Sequence, residues 1–259
     1  MNETDETLDM EDGHDEHEPP ADLLTAVYES DDDAVVRQLR AGADPETADE
    51  DGQTVLYLAA TLLGEPGIVR LLLAAGARPD RLSSGTDSPL CGAACTGRTE
   101  VVRALLAAGA APDLAEEGGF TAMTWAVRGG HAGVVAALLT AGADPDLPGP
   151  TGEPPLVAAA RRGSPSCVRA LLEHGARARA EALAEARRWL VRDVAAELRA
   201  SLERLHGPGH EVTVRRVPEE DGGTTVVVEL RSGDRTVAGD DLQTGHAEIV
   251  ALLEGGTDV

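Results

Sequence analysis

The sequence predicts an all-α repeat solenoid of stacked helix-turn-helix units, with a small β-hairpin inserted near the C-terminus. Three observations carry that expectation. Gly-Ala steps begin at Gly42, Gly76, Gly109, Gly142 and Gly175, at intervals of 34, 33, 33 and 33 residues, and a fixed period in this range marks stacked supersecondary units. Short helix-opening motifs run in phase with that ladder, their first residues at 54, 88, 121 and 154. Aromatic residues make up only 2% of the chain against 42% hydrophobic overall, so the core has to be built from Ala, Leu and Val, which suit closely packed helices.

Each unit reads as two helices. The first opens at Thr54-Val55-Leu56-Tyr57-Leu58-Ala59, Ser88-Pro89-Leu90-Cys91-Gly92-Ala93, Thr121-Ala122-Met123-Thr124-Trp125-Ala126 and Pro154-Pro155-Leu156-Val157-Ala158-Ala159. Thr54, Ser88 and Thr121 are suitable N-caps, and Pro89 and Pro155 suit a first turn, where the missing N–H costs nothing. The second helix follows with apolar residues at three- and four-residue spacing, as in Ile68-Val69-Arg70-Leu71-Leu72-Leu73 and its counterparts from Val101, Val134 and Cys167. That spacing gives one buried stripe per helix. The Gly of each Gly-Ala step then ends the helix.

The period and motifs resemble the ankyrin repeat over residues 21–179, with repeats at 21–45, 46–79, 80–112, 113–145 and 146–179. The first, with Asp22, Glu29, Asp31, Asp32 and Asp33, suits a terminal cap, whose outer face nothing covers. Two departures stand out. The signature His is replaced by Tyr57, Cys91, Thr124 and Val157, and one residue is inserted around Gly64-Glu65-Pro66-Gly67, where a longer turn is expected.

Beyond Gly175 the pattern loosens into an irregular cap over residues 180–259. Residues 180–205 read as one long helix with Trp189, Leu190, Val194, Leu198, Leu202 and Leu205 on its period, broken by His206-Gly207-Pro208-Gly209. Alternating Val212, Val214 and Val217, then Val226, Val228 and Leu230, predict a β-hairpin over residues 211–231, turning at Glu219-Glu220-Asp221-Gly222-Gly223. Residues 244–254 match the second helix of a repeat. Two readings stand side by side: a sixth repeat interrupted by the hairpin, or a separate small α+β appendage.

The net charge of −24 is unevenly placed, with nineteen acids and two Arg in residues 1–53. Such a field repels nucleic acid and anionic membranes and favours basic partners. Residues 1–18 carry nine acids and no Arg, the reverse of a secretory or transit peptide. No run reaches the roughly 18 apolar residues a membrane helix needs. Three cysteines give no pairing pattern. A cytoplasmic monomer, without cofactor or metal and with no nucleic-acid or membrane partner, is expected.

Residues 1–20 read as a disordered acidic tail. The stretch 176–216 holds nine Arg against six acids, so the tail is a candidate cover for that end. Candidate chemistry is sparse. Cys91, Cys95 and Cys167 read as small buried residues, and His14-Asp15-Glu16-His17 is at most a loose chelate. The one enzymatic alternative uses Arg215, Arg216 and His210 in the C-terminal appendage.

The resemblance implies a non-enzymatic protein-interaction module whose loop tips and first helices line a concave contact face. By phase that face holds Asp51, Gln53 and Leu62 toward the N-terminal end, and Glu117, Phe120, Trp125, Arg128, Glu153, Arg161 and Arg162 further on. The latter group includes the chain's only Phe and one of its two Trp. Trp and Arg dominate interface hot spots, where one truncation costs about 2 kcal/mol or more. Equally, Trp125 suits a filler between neighbouring first helices. The partner is expected to be a protein, a basic segment being one candidate. Rival readings are a regulator masking a basic partner through the acidic tail and first repeats, and a structural piece of a larger assembly.

Overall fold

The computed structural model describes residues 22–218 and 224–255. The acidic segment 1–20, its His14-to-His17 cluster and the turn at residues 219–223 lie outside the described residues.

Two rows of helices run through the molecule. First helices are α1 (Leu23–Tyr28), α3 (Val55–Leu58), α5 (Pro89–Cys95), α7 (Ala122–Gly129) and α9 (Pro155–Arg162). Second helices are α2 (Asp32–Arg40), α4 (Pro66–Ala74), α6 (Thr99–Ala107), α8 (Ala132–Thr140) and α10 (Pro165–Glu173). Each packs on its counterpart in the next unit. The caps fall where side-chain chemistry puts them: Thr54, Ser88 and Thr121 each accept a backbone N–H from the first turn, and Pro89 and Pro155 occupy it.

The core between the rows is a ladder of fully buried aliphatics, Leu58, Leu90, Met123 and Leu156 from the first helices and Ile68, Leu72, Leu105, Leu138 and Leu171 from the second. Each large-to-Ala change at such a site costs about 2–5 kcal/mol. Each second helix ends in a glycine at positive φ, Gly76 at +104° for example. An added Cβ at Gly76 meets nothing within 4 Å, so the left-handed backbone alone demands glycine there.

A carboxylate ladder joins the units. In each G-A-x-P-[D/E] segment the acid accepts the backbone N–H of the residue after the next Gly-Ala step, which a Pro follows in every unit but the last, where Ala178 stands. Glu46 takes Arg78 N–H at 2.7 Å, Asp80 takes Ala111 at 3.0 Å, Asp113 takes Asp144 at 3.1 Å and Asp146 takes Arg177 at 2.8 Å. The backbone hydrogen bond from Arg177, helped by that residue's guanidinium, holds the Asp146 carboxyl below its usual range. For Glu46, burial pushes the pKa up, but hydrogen bonds from Arg78 and Arg81 outweigh it and the net shift is downward.

The extra residue of the second unit does not lengthen a turn. It widens the first helix: Ala59–Leu63 forms a π-helical turn after α3, closed by Gly64 N–H donating to the Ala59 carbonyl at 3.1 Å. A single inserted residue is commonly absorbed this way.

The C-terminal segment departs from expectation twice. The long helix is broken at residues 191–193 into α11 (Arg179–Leu190) and α12 (Val194–His206), with Asp193 capping the second. In consequence Leu190 and Leu205 are exposed rather than part of one buried stripe. The hairpin is a three-stranded antiparallel meander, β1 (Glu211–Pro218), β2 (Thr224–Ser232) and β3 (Arg235–Gln243), in the order β1-β2-β3. Its register pairs Val214 with Val228 and Val226 with Leu242, and a shift between Leu230 and Arg231 leaves Val237 unpaired. Helix α12 covers one face of the sheet, and Val194, Leu198, Leu202, Val226, Val228, Leu230 and Leu242 form a second small core.

The final helix α13 (His246–Glu254) returns to the array. It packs on α10 and α11, while α11 packs on α9, so α11 and α13 extend the two rows as a sixth pair. Residues 191–245 separate them in sequence, yet the Trp189 and His246 rings lie 6.0 Å apart. The α12-β1-β2-β3 unit is an insert between the two helices of one pair.

Candidate functional site

The capping box at Thr121 and Thr124 seats the start of α7, and this places Phe120, Trp125 and Arg128 on one side of the array. The Phe120 ring stacks on Trp125 with centroids 4.8 Å apart and planes 20° from parallel. On the indole lies the Arg128 guanidinium, 5.7 Å from the ring centroid. The indole N–H donates to Glu116 Oε2 at 3.0 Å, and Glu116 Oε1 accepts the Ser88 N–H of the preceding unit at 2.8 Å. Trp125 is therefore half-buried and tied to the neighbouring loop, with the Phe120 ring stacked on it.

Helix α9 ends in Arg161 and Arg162, cations that suit a helix C-terminus. Arg161 bridges Glu153, in the loop before α9, and Glu185 of α11 at 3.3 Å. Arg162 is only 12% exposed: its guanidinium grips both the carboxylate and the backbone carbonyl of Asp241 on β3, and reaches the Gly129 carbonyl at 3.4 Å. Just beyond, a Cβ at Gly163 would collide with the Gln243 carbonyl, so the insert sits directly against the end of α9.

These contacts close a groove of about 520 Å³. Its walls are the loop tips (Phe120, Pro150, Thr151, Glu153), the exposed sides of α7 and α9 (Thr124, Arg128, Ala158, Arg161, Arg162), and Asp240, Asp241 and Leu242 of the insert. Five residues singled out in the sequence thus converge on one cleft, with Trp125 stacked behind Phe120. Asp51, Gln53, Leu62 and Glu117 do not line it. Asp51 and Gln53 sit in the second unit's loop, where Asp49 Oδ1 accepts both backbone N–H groups, and Leu62 stands 58% exposed on the π turn.

The insert's wall escaped the sequence reading, since its strand carries no alternating apolar pattern and its partner Arg162 lies 79 residues away. The adjacent acids Asp240 and Asp241 were the one available cue.

Next to the groove, His246 is buried and donates from Nε2 to the Arg161 carbonyl at 3.2 Å. Burial pushes its pKa down against the opposing effects of that carbonyl and Glu185, so the imidazole is held toward its neutral form.

The proposed enzymatic trio does not converge. Arg215 pairs with Glu229 at 2.8 Å, and its neighbour Arg216 points to the opposite sheet face, since successive strand residues alternate. His210 contacts the His206 carbonyl at 3.3 Å. Among the described residues no group of three or more His, Cys, Asp or Glu is placed to hold a metal ion. Cys91 and Cys167 are buried as expected, but Cys95 is exposed at the end of α5. Burial pushes the Cys91 thiol up to about 12.

The ankyrin-repeat profile matches three times, over residues 23–115, 63–148 and 90–182. The chain belongs to the ankyrin-repeat family. Comparison with curated proteins finds no match to this sequence. Ankyrin repeats are generally protein-interaction modules and typically not enzymes. No helix among the described residues is long and apolar enough to cross a membrane. The matched ankyrin repeats end before α12, so the groove has two walls of family origin and a third peculiar to the insert.

Proposed function

We propose that this protein binds an extended segment of a protein partner in the groove between α7, α9 and β3. One observation carries the reading: the Phe120–Trp125 stack, with both rings partly exposed, borders a cleft lined by the loop tips and first helices. A flat aromatic shelf presents much contact area at little entropic cost, and the stacked helices hold it in place before the partner arrives.

Arg161 and Arg162 shape the cleft rather than contact the partner, because Glu153, Glu185 and Asp241 already engage them. Phe120 and Arg128 supply the binding surface. Affinity capture from an extract of the source cells tests this. Phe120→Ala and Arg128→Ala, confirmed folded by circular dichroism, should each weaken the captured partner about tenfold. Retention equal to the intact chain would overturn the placement.

A further inference from the structure

The six charges around the groove balance in number but not in pairing, and the unpaired ones describe what fits there. Six charged side chains line it: Arg128, Arg161, Arg162, Glu153, Asp240 and Asp241. Arg161 pairs with Glu153, and Arg162 with Asp241. Arg128 and Asp240 are exposed and make no ion pair among the described residues. Arg128 lies on the Trp125 ring, which occupies its face and leaves its N–H fork open. Asp240 uses Oδ1 to accept the Asp241 N–H at 2.9 Å, which leaves Oδ2 without a hydrogen bond among the described residues. The groove thus presents a cation on its repeat wall and an anion on its insert wall. Phe120, Pro150, Ala158 and Leu242 supply apolar lining.

Strand addition to β3 is not how the segment is held. At the edge facing the groove, the Asp241 N–H is capped by Asp240 and its carbonyl by Arg162. Further along, the unpaired Val237 disrupts the ladder. Capped groups and bulges are how natural sheets block pairing at an edge. Recognition here must run through side chains.

Resting on the groove reading above, we infer that the bound segment carries one acidic and one basic residue flanking an apolar one. The acid meets Arg128, the apolar side chain lies on the Phe120 shelf, and the base meets Asp240. Asp240 is then a specificity-determining residue supplied by the insert, and the insert's role is to make an ankyrin groove selective for a segment of mixed charge. A uniformly acidic segment is repelled at Asp240 and a uniformly basic one at Arg128.

Panning random displayed peptides against the intact chain, with Phe120→Ala as the counter-selection, tests the inference. Peptides that need Phe120 should share the acid–apolar–base pattern. Asp240→Asn, which keeps the Oδ1 acceptor and removes only the charge, should weaken them by about three- to fivefold. Asp240→Arg should weaken them on the order of tenfold and, panned in its own right, select an acid where the base stood. Phe120-dependent peptides without a charge pattern, or indifferent to both Asp240 variants, would overturn this inference while leaving the groove reading intact. Failure to recover any Phe120-dependent peptide would overturn both.

Discussion

Replacing residues 191–243 with two glycines removes α12 and the sheet while keeping α11, Gly245 and α13. The ends to be joined are already close, since Trp189 and His246 stack at 6.0 Å. The hydrogen bond from Gly245 N–H to the Gly163 carbonyl, 3.0 Å, is retained. What the array loses is the grip of Arg162 on Asp241, a pair with 12% and 44% of its side chains exposed, together with the cover the second core gives Trp189. A pair so open on one side contributes about 1–2 kcal/mol, well short of a fully buried one. Arg162 is not left orphaned, because removing the insert returns it to water. With a loss of about 2 kcal/mol in an array of this size, Tm should fall by roughly 4–8 °C.

Two more damaging controls set that figure in scale. Truncation after residue 245 removes α13 and with it the burial of Ile249 and Leu253, 0% and 2% exposed, at about 3–6 kcal/mol. Excising residues 207–242 alone strips the sheet from α12 and bares Val194, Leu198 and Leu202. That variant should bind a hydrophobic dye and aggregate, whereas the 191–243 replacement should not. Thermal unfolding by far-ultraviolet circular dichroism reads all three. A replacement variant as destabilised as the α13 truncation would refute the reasoning, for it would mean that α13 docks only through the insert.

Three further outcomes follow from the same geometry. Because burial lowers the His246 pKa in the folded chain, the unfolded chain takes up its proton first as pH falls. Its contribution is therefore complete above about pH 6.5 and lost as pH drops through the folded value; urea titrations should show that slope, and His246→Gln should flatten it. Asp146→Asn removes a charged acceptor from the inter-repeat ladder and should cost about 1 kcal/mol, with a matching loss in the intact chain that begins as pH falls below the ordinary Asp range and completes as it passes through the lowered folded value. Alkylation at pH 8 followed by mass spectrometry should label Cys95 promptly and spare Cys91, whose buried thiol titrates at about 12; equal labelling would mean that α5 opens readily.

The periodic part of this fold was legible because its causes are local. A glycine after each second helix, a hydroxyl at the N-caps Thr54, Ser88 and Thr121 and apolar residues three and four apart are read within a dozen residues, and these appear where expected. What was missed depends on contacts distant in sequence. Trp189, Leu190, Val194 and Leu198 keep a helical period straight through residues 191–193, so periodicity alone joined α11 to α12, although Asp193 is a good N-cap. Strand β3 has no apolar alternation because Asp240 stands opposite buried Val228, at the position between Ala238 and Leu242 where the pattern calls for an apolar residue.

The candidate site shows the same division. Phase along the repeats located Phe120, Trp125, Arg128, Glu153, Arg161 and Arg162 together. That two of these arginines are already engaged, by Glu185 and Asp241, required knowing which distant elements fold back on α9. Exposed Leu62 and the acids near Asp51 share the side of the array without sharing the cleft, since the first helices carry them one or two units away.

Hydrogen–deuterium exchange on the intact chain, with and without its captured partner, addresses the central claim most directly. Binding in the groove predicts slowed exchange in the loops at residues 116–121 and 149–153 and along residues 238–243, with α4, α6 and α8 unchanged. Protection confined to those second helices, with both loops and β3 exchanging as before, would contradict it.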